Sequence, residues 1–284
     1  MIYISSSCVR AKTIRDAVLQ LAEAGFRHIE LSGGTEWYDA LPDDLLALKQ
    51  RFNLEFLCHN YFPPPLKHFV LNLASLNDET FNASRAQVRR AVELSKLLGA
   101  GRYGFHAGFL IDIPLHQIGK KIDRLALFDK QEGFKRFCQA VKEVYAETQD
   151  VKLYIENNVF SAPNAASYGG ANPFFLTRRS EFEELRAETE FNLLLDLAHL
   201  KVSCTTLGLD LAEEVQFLLP QSDYVHISDN DGTVDSNGPL ERDSDLFRLL
   251  ERADLGGKIF TLEIYRDLQT VRHSHDVLAM LLED

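Results

Sequence analysis

The stretch LYIENN, Leu153–Asn158, sets a glutamate and two asparagines directly after a short apolar run. A run of that length bounded by polar residues reads as a buried strand. A strand that only had to pack would end in a small turn residue rather than a carboxylate. The same arrangement recurs in LLLDLAH (193–199), YVHISD (224–229) and FTLEIY (260–265).

Outward from these stretches, eight β-rich runs follow one another: IYIS (2–5), HIEL (28–31), LEFLCH (54–59), RYGFHA (102–107), KLYIEN (152–157), NLLLDL (192–197), YVHIS (224–228) and IFTLEI (259–264). Helical patterns lie between them. In TIRDAVLQLAEAG (13–25) the apolar positions Ile14, Val18, Leu21 and Ala22 form one stripe, closed by Gly25. Residues 84–101, 132–147, 210–219, 243–252 and 269–283 repeat the pattern. No Ser/Gly linker or charge block divides residues 1–284, so a single domain is expected. Strands alternating with helices imply a parallel sheet, open or closed. There is no GxGxxG after the first run and no GxxxxGK[ST], which removes support from the nucleotide-binding open sheets. About eight strand–helix units in a chain of this length fit a (β/α)8 TIM barrel, an α/β fold.

In such barrels the reactive side chains sit at the C-terminal strand ends. Those positions hold Glu30, His59, His106, Glu156, Asp196, His226 and Glu263. Any one has a bland explanation: a lone histidine there is usually a hydrogen-bonded structural residue, and Glu30 reads as an orienting or helix-capping carboxylate. From the third run to the eighth, however, every strand ends in His, Asp or Glu, and unrelated explanations would be needed for each. Glu156, Asp196, His226 and Glu263 are therefore expected to hold a metal. Three carboxylates and one imidazole without a thiolate suit Mn²⁺, Mg²⁺, Co²⁺ or Zn²⁺. His59 and His106, with Glu156 as a bridge, are read either as ligands of a second ion or as substrate contacts. His199 falls three residues after Asp196 and has the same two readings. Asn157, Asn158 and Asn230 are candidate neutral hydrogen-bonders to substrate. Arg102 and Lys201 are candidate anion contacts. Trp37, Phe62 and the FPPP segment (62–65) read as an apolar lid or as plain packing. His28, His68, His116, His273 and His275 are expected to be ordinary.

Composition sets the outer bounds. The chain is 45% hydrophobic and 25% charged, with a net charge of −12. That balance argues against a non-specific hold on nucleic acid, which needs Lys and Arg to displace counterions. Cys8, Cys58, Cys138 and Cys204 form no CxxC pair, so neither a disulfide framework nor a cysteine zinc site is indicated. No run approaches a membrane span, and the charged N-terminal segment is unlike a secretory leader, so a cytoplasmic protein is expected.

The ordered set IEL (29–31), FHAG (105–108), IEN (155–157), DLAH (196–199), HISDNDG (226–232) and LEI (262–264) resembles the xylose-isomerase-like TIM barrels, which join sugar isomerases and epimerases with endonuclease IV-type nucleases. The resemblance implies one divalent ion on Glu156, Asp196, His226 and Glu263. It also implies proton transfer by Glu156 and Glu263 through a metal-stabilised enediolate, and a substrate contact at His199. The expected activity is sugar or sugar-phosphate isomerisation or epimerisation, with a small carbohydrate as partner and a homodimer compatible with the fold. The alternative is a zinc-dependent phosphodiesterase or AP endonuclease with two or more zinc ions. On that branch His59 and His106 complete the first two sites. The third would use His199, Asp229 and a histidine in the loop after the seventh run, where this chain has Asn237 and lacks the branch's HxxxGxG run.

Overall fold

In the computed structural model, which describes residues 1–283, the apolar runs form β1 (Ile2–Ser5), β2 (His28–Leu31), β3 (Glu55–His59), β4 (Arg102–His106), β5 (Lys152–Glu156), β6 (Asn192–Asp196), β7 (Tyr224–Ile227) and β8 (Ile259–Leu262). Each pairs in parallel with the next, and β8 closes on β1 through Ile2↔Phe260, Tyr3↔Thr261 and Ile4↔Leu262. The expected (β/α)8 barrel is therefore the fold. Only β8 stops two residues short of its apolar run, so Glu263 follows its strand instead of ending it.

The helices are α1 (Ile14–Glu23), α2 (Leu41–Phe52), α3 (Asp78–Leu98), α4 (Lys130–Glu147), α5 (Ala162–Ser167), α6 (Arg179–Glu188), α7 (Leu197–Leu207), α8 (Leu211–Leu218), α9 (Asp245–Leu250) and α10 (Leu268–Glu283). α1 buries the stripe read from its sequence, and the Thr13 side chain accepts from Asp16 N at 3.2 Å to start it. α3 begins before its apolar stripe because Asn77 Oδ1 accepts from Glu79 N at 2.9 Å. α6 buries only Phe182 and Leu185, too few to register as a stripe. α7 buries residues on most of its sides, so its sequence has no amphipathic period.

Side chains alternate along each strand. One set packs outward against the helices; Ile4, Ile29, Phe105 and Ile155 belong to that main core. The other set fills the barrel. Its lower layer is Tyr3, Leu57, Tyr154, Leu194 and Tyr224, with the rings of Tyr154 and Tyr224 meeting edge to face at 5.1 Å. Two residues further along the same strands stand Ser5, His59, Glu156, Asp196 and His226. Gly104 makes the step possible on β4: a Cβ there would lie 2.7 Å from Leu194 and 3.3 Å from His59.

The lower end is sealed by ions. Arg102 donates to the Tyr154 hydroxyl and pairs with Asp223 at 3.0 Å, and Lys152 reaches the same carboxylate at 2.9 Å. Arg102 thus lies at the end of the barrel opposite the reactive residues, and an anion contact at the mouth is ruled out by its place at the start of β4.

Partial burial alone would raise the Asp223 carboxyl, but hydrogen bonds from Lys152, Arg102 and Tyr154 hold it down to about 2. The stabilisation is therefore full above the unfolded value of about 4 and vanishes as pH falls through the folded value. Much of that carboxylate meets solvent, so screening leaves roughly 1 kcal/mol. Asp223→Asn is expected to lose that amount at pH 7 in urea unfolding and to match the parent near pH 2; equal stabilities at pH 7 would refute this account.

Candidate metal centre

Strand register builds the site. His106 lies beside Glu156 across β4 and β5, and Asp196 lies beside His226 across β6 and β7. Neighbours in register on parallel strands point the same way, so all four enter the barrel mouth together. Asp196 is also fixed by the helix that follows it. Its Oδ1 accepts from His199 N at 2.7 Å and caps α7, where the helix N-terminus favours a negative charge.

Glu156 is fully buried, and imidazoles surround it. His59 Nε2 donates to its Oε2 at 2.8 Å, and His106 Nδ1 lies 3.0 Å from the same oxygen. His226 Nδ1 faces its Oε1 at 3.3 Å, and His199 Nδ1 is 4.0 Å from Oε1. Burial by itself would raise this carboxyl, but His106 and His59 hold it well below the usual range. Below it, Glu30 Oε2 accepts from Tyr224, from His226 Nε2 at 3.0 Å and from Thr261 at 2.9 Å. The Nε2 proton of His226 is thereby committed to Glu30, which turns Nδ1 toward Glu156 and Glu263. Burial would lower the His226 imidazole, yet the carboxylates of Glu30 and Glu263 hold it well above its ordinary value. Burial pushes the Glu263 carboxyl up, and His226 and His59 draw it back.

Three overlapping groups can each bring ligand atoms within 4.8 Å of one another: Glu30, His59, His226 and Glu263; His106, Glu156 and His199; and Glu156, Asp196 and His226. Glu30 Oε1, His106 Nδ1, Glu156 Oε1 and His226 Nδ1 are buried with no hydrogen-bond partner. Each such atom costs about 1–3 kcal/mol if left unmatched. Carboxylate oxygens and imidazole nitrogens that converge without a hydrogen-bond partner fit a divalent cation. Of the buried thiols, Cys8 donates to the Leu262 carbonyl and belongs to none of these groups.

The remaining sequence candidates are placed as follows. Asn157 is spent on the backbone of Asp196, giving Nδ2 to its carbonyl at 2.9 Å and accepting its N–H at 2.6 Å. Asn158 Nδ2 donates to the Ala107 and Phe175 carbonyls, and Asn230 Nδ2 to that of Ala198. Asp229 is ion-paired with Lys201 at 2.6 Å and stands outside the three groups. Trp37 packs under the Arg90 guanidinium and Phe62 is fully buried; neither lines the cavity over the site. Their role is packing. Sequence reasoning missed Asp235, whose Oδ2 is 3.3 Å from His199 Nε2. The signal was present in DNDGTVDSNG (229–238), whose ends meet through the bridge of Asp229 with Gly238, bringing its central carboxylate back over the mouth.

A partner that orients a ligating histidine is worth roughly 10–100-fold in metal affinity. Glu30→Gln is expected to weaken divalent-ion binding by that factor in chelator competition. Unchanged affinity would show that Glu30 does not set the orientation of His226.

The same fold occurs in solved structures with limited sequence likeness. A D-tagatose 3-epimerase-like protein is 18% identical with a TM-score of 0.74, over 99% of this chain and 97% of that one. L-Ribulose 3-epimerase is 15% identical with a TM-score of 0.69, over 99% and 94%. Endonuclease IV from Thermus thermophilus is 18% identical with a TM-score of 0.61, over 99% and 98%. No curated protein matches the chain by sequence. Among the described residues, no helix is long and apolar enough to cross a membrane. The model of the xylose isomerase-like TIM barrels matches residues 18–281, and the chain belongs to that family.

Proposed function

We propose that the chain is a divalent-metal-dependent isomerase or epimerase of sugars that carry a carbonyl beside a hydroxylated carbon. The observation that carries this reading is Glu263. It is the one carboxylate of the proposed ligand set that lines the cavity, a space of about 610 Å³ whose floor also includes His59, His106 and His199. Its neighbours in the set, Glu156, Asp196 and His226, lie beneath that floor.

Glu156, Asp196, His226 and Glu263 would hold the ion. Once bound, a divalent ion supplies a Lewis acid that draws electron density from the substrate carbonyl and so acidifies the adjacent C–H. Glu263, open to the cavity, takes that proton. Return of that proton by Glu263 to the neighbouring carbon shifts the carbonyl. Inversion of the same carbon takes a proton from solvent on the opposite face, because Glu156, expected as the second carboxylate of the pair, is buried beneath the floor with its charge held by His106 and His59. His199 gives its Nδ1 proton to the Asn157 carbonyl at 2.9 Å, which leaves Nε2 for Asp235 and the substrate side.

Two features weigh against the nuclease branch. Lys201 neutralises Asp229, and Asn237 stands where that branch places a histidine. The acidic net charge of −12 adds to them. One feature favours the second reading: Glu156 is shared by two of the three ligand groups, as a bridge between two ions would be.

The test is solvent-proton exchange. With a panel of ketohexoses and their phosphates in D₂O, the metal-loaded protein should incorporate deuterium next to the carbonyl. Glu263→Gln should slow incorporation by roughly 10²–10⁴-fold, the usual worth of a positioned general base. Full turnover in that variant, or nicking of an abasic-site oligonucleotide without any exchange, would defeat the proposal.

A further inference from the structure

The cavity is larger and more divided in character than a bare hexose requires. At about 30 Å³ per water it has room for roughly 20 water molecules, and its 610 Å³ lies in the middle of the range that holds drug-sized ligands. Its two ends differ. Beside the histidines, Asn60 and Asp235 line the cavity, and the Oδ1 atom of each is buried without a hydrogen-bond partner. Asn60 is only 6% exposed, so its free oxygen has no recourse to bulk solvent.

Toward solvent the walls become apolar. Phe109, Ile122 and Phe174, from the segments after β4 and β5, belong to a separate small core that forms one side. At the rim stand Ile118, Val234 and Tyr265, which are 37%, 44% and 49% exposed. Nine large apolar side chains are strongly exposed among the described residues, and three of them gather at this one opening. Exposed apolar groups clustered around a cavity mark a binding surface rather than chance. Lys120 and Lys121 also line this outer half, and two of its neutral polar residues are already occupied. Asn164 Oδ1 accepts from Ile122 N at 2.8 Å, and Gln117 gives its amide to Asp123 at 2.7 Å while accepting from Asp123 N at 3.0 Å. An apolar group would meet the side chains of Ile118, Val234 and Tyr265 there.

We infer that the substrate is a sugar bearing an apolar or aromatic substituent, such as an aryl glycoside whose ring also carries the carbonyl, with the sugar ring on the histidine–carboxylate floor and the substituent between Ile118, Val234 and Tyr265; simple glycosides, which lack that carbonyl, serve as non-reacting probes of the substituent. This deepens the isomerase reading and rests on it only for which end of the cavity holds the sugar.

Calorimetric titration of the metal-loaded protein with methyl β-D-glucopyranoside, phenyl β-D-glucopyranoside and glucose 6-phosphate tests it. The phenyl glycoside should bind at least tenfold more tightly than the methyl glycoside. The double variant Ile118→Ser, Val234→Ser, made at exposed positions that the fold does not need, should cut that advantage at least fivefold. Equal affinities, tightest binding of the phosphate, an advantage that survives in the double variant, or no binding of either glycoside would each overturn the inference. Its failure is separable from that of the isomerase reading. Carbon-bound deuterium exchange on simple ketoses without a phenyl preference defeats only the substituent, and a phenyl preference without exchange on any ketose defeats only the chemistry.

Discussion

Burying a carboxylate as completely as Glu156 costs several kcal/mol unless the charge is matched, and here the match comes from imidazoles on four other segments. His59, His106, His226 and His199 all approach it within 4.0 Å. None of them is near it in sequence. The arrangement exists only because β3, β4, β5 and β7 are held together in a closed ring, so the charge at the centre and the closure of the barrel depend on each other. A cation at the unpaired atoms would relieve the same imbalance, which is why the geometry that stabilises the buried charge is also a geometry for binding metal.

The layer below makes that polar mouth possible. Tyr154 and Tyr224 fill the barrel beneath Glu156 and His226, and Tyr224 turns its hydroxyl upward to Glu30. Glu30 in turn fixes His226. Strand alternation therefore does more than separate inside from outside: on β5 and β7 it stacks one aromatic floor residue under one ionisable residue. Gly104 is the exception on β4, where an absent side chain leaves space for His59. The ion knot of Arg102, Lys152 and Asp223 then lies across the lower end.

The cavity adds a second contrast, between a floor of histidines with Glu263 and walls of aliphatic and aromatic groups. The loops that build these walls follow β3, β4, β5, β7 and β8. Some of their polar side chains hold the loops to one another, as Asn158 and Asn164 do. Under the proposed function, chemistry would fall to the strand ends and selection to the loops.

The barrel and its ring of ionisable strand ends were legible in LYIENN and its counterparts, because a two-residue alternation and a period of strand then helix are local properties of a chain. Glu156, Asp196, His226 and Glu263 stood out for the same reason: a charged residue at the end of a buried run is locally anomalous. What the side chains do once assembled was not legible. Asn157 reads like a substrate contact beside Glu156, yet the backbone of Asp196 on the next strand claims its amide. Asp229 sits in a conspicuous HISD, yet Lys201 from α7 takes its charge, and the less conspicuous Asp235 reaches His199 instead. These outcomes turn on which neighbour arrives first within hydrogen-bonding distance, and that is decided by strand register and loop closure, quantities that belong to the folded chain and to no segment of it.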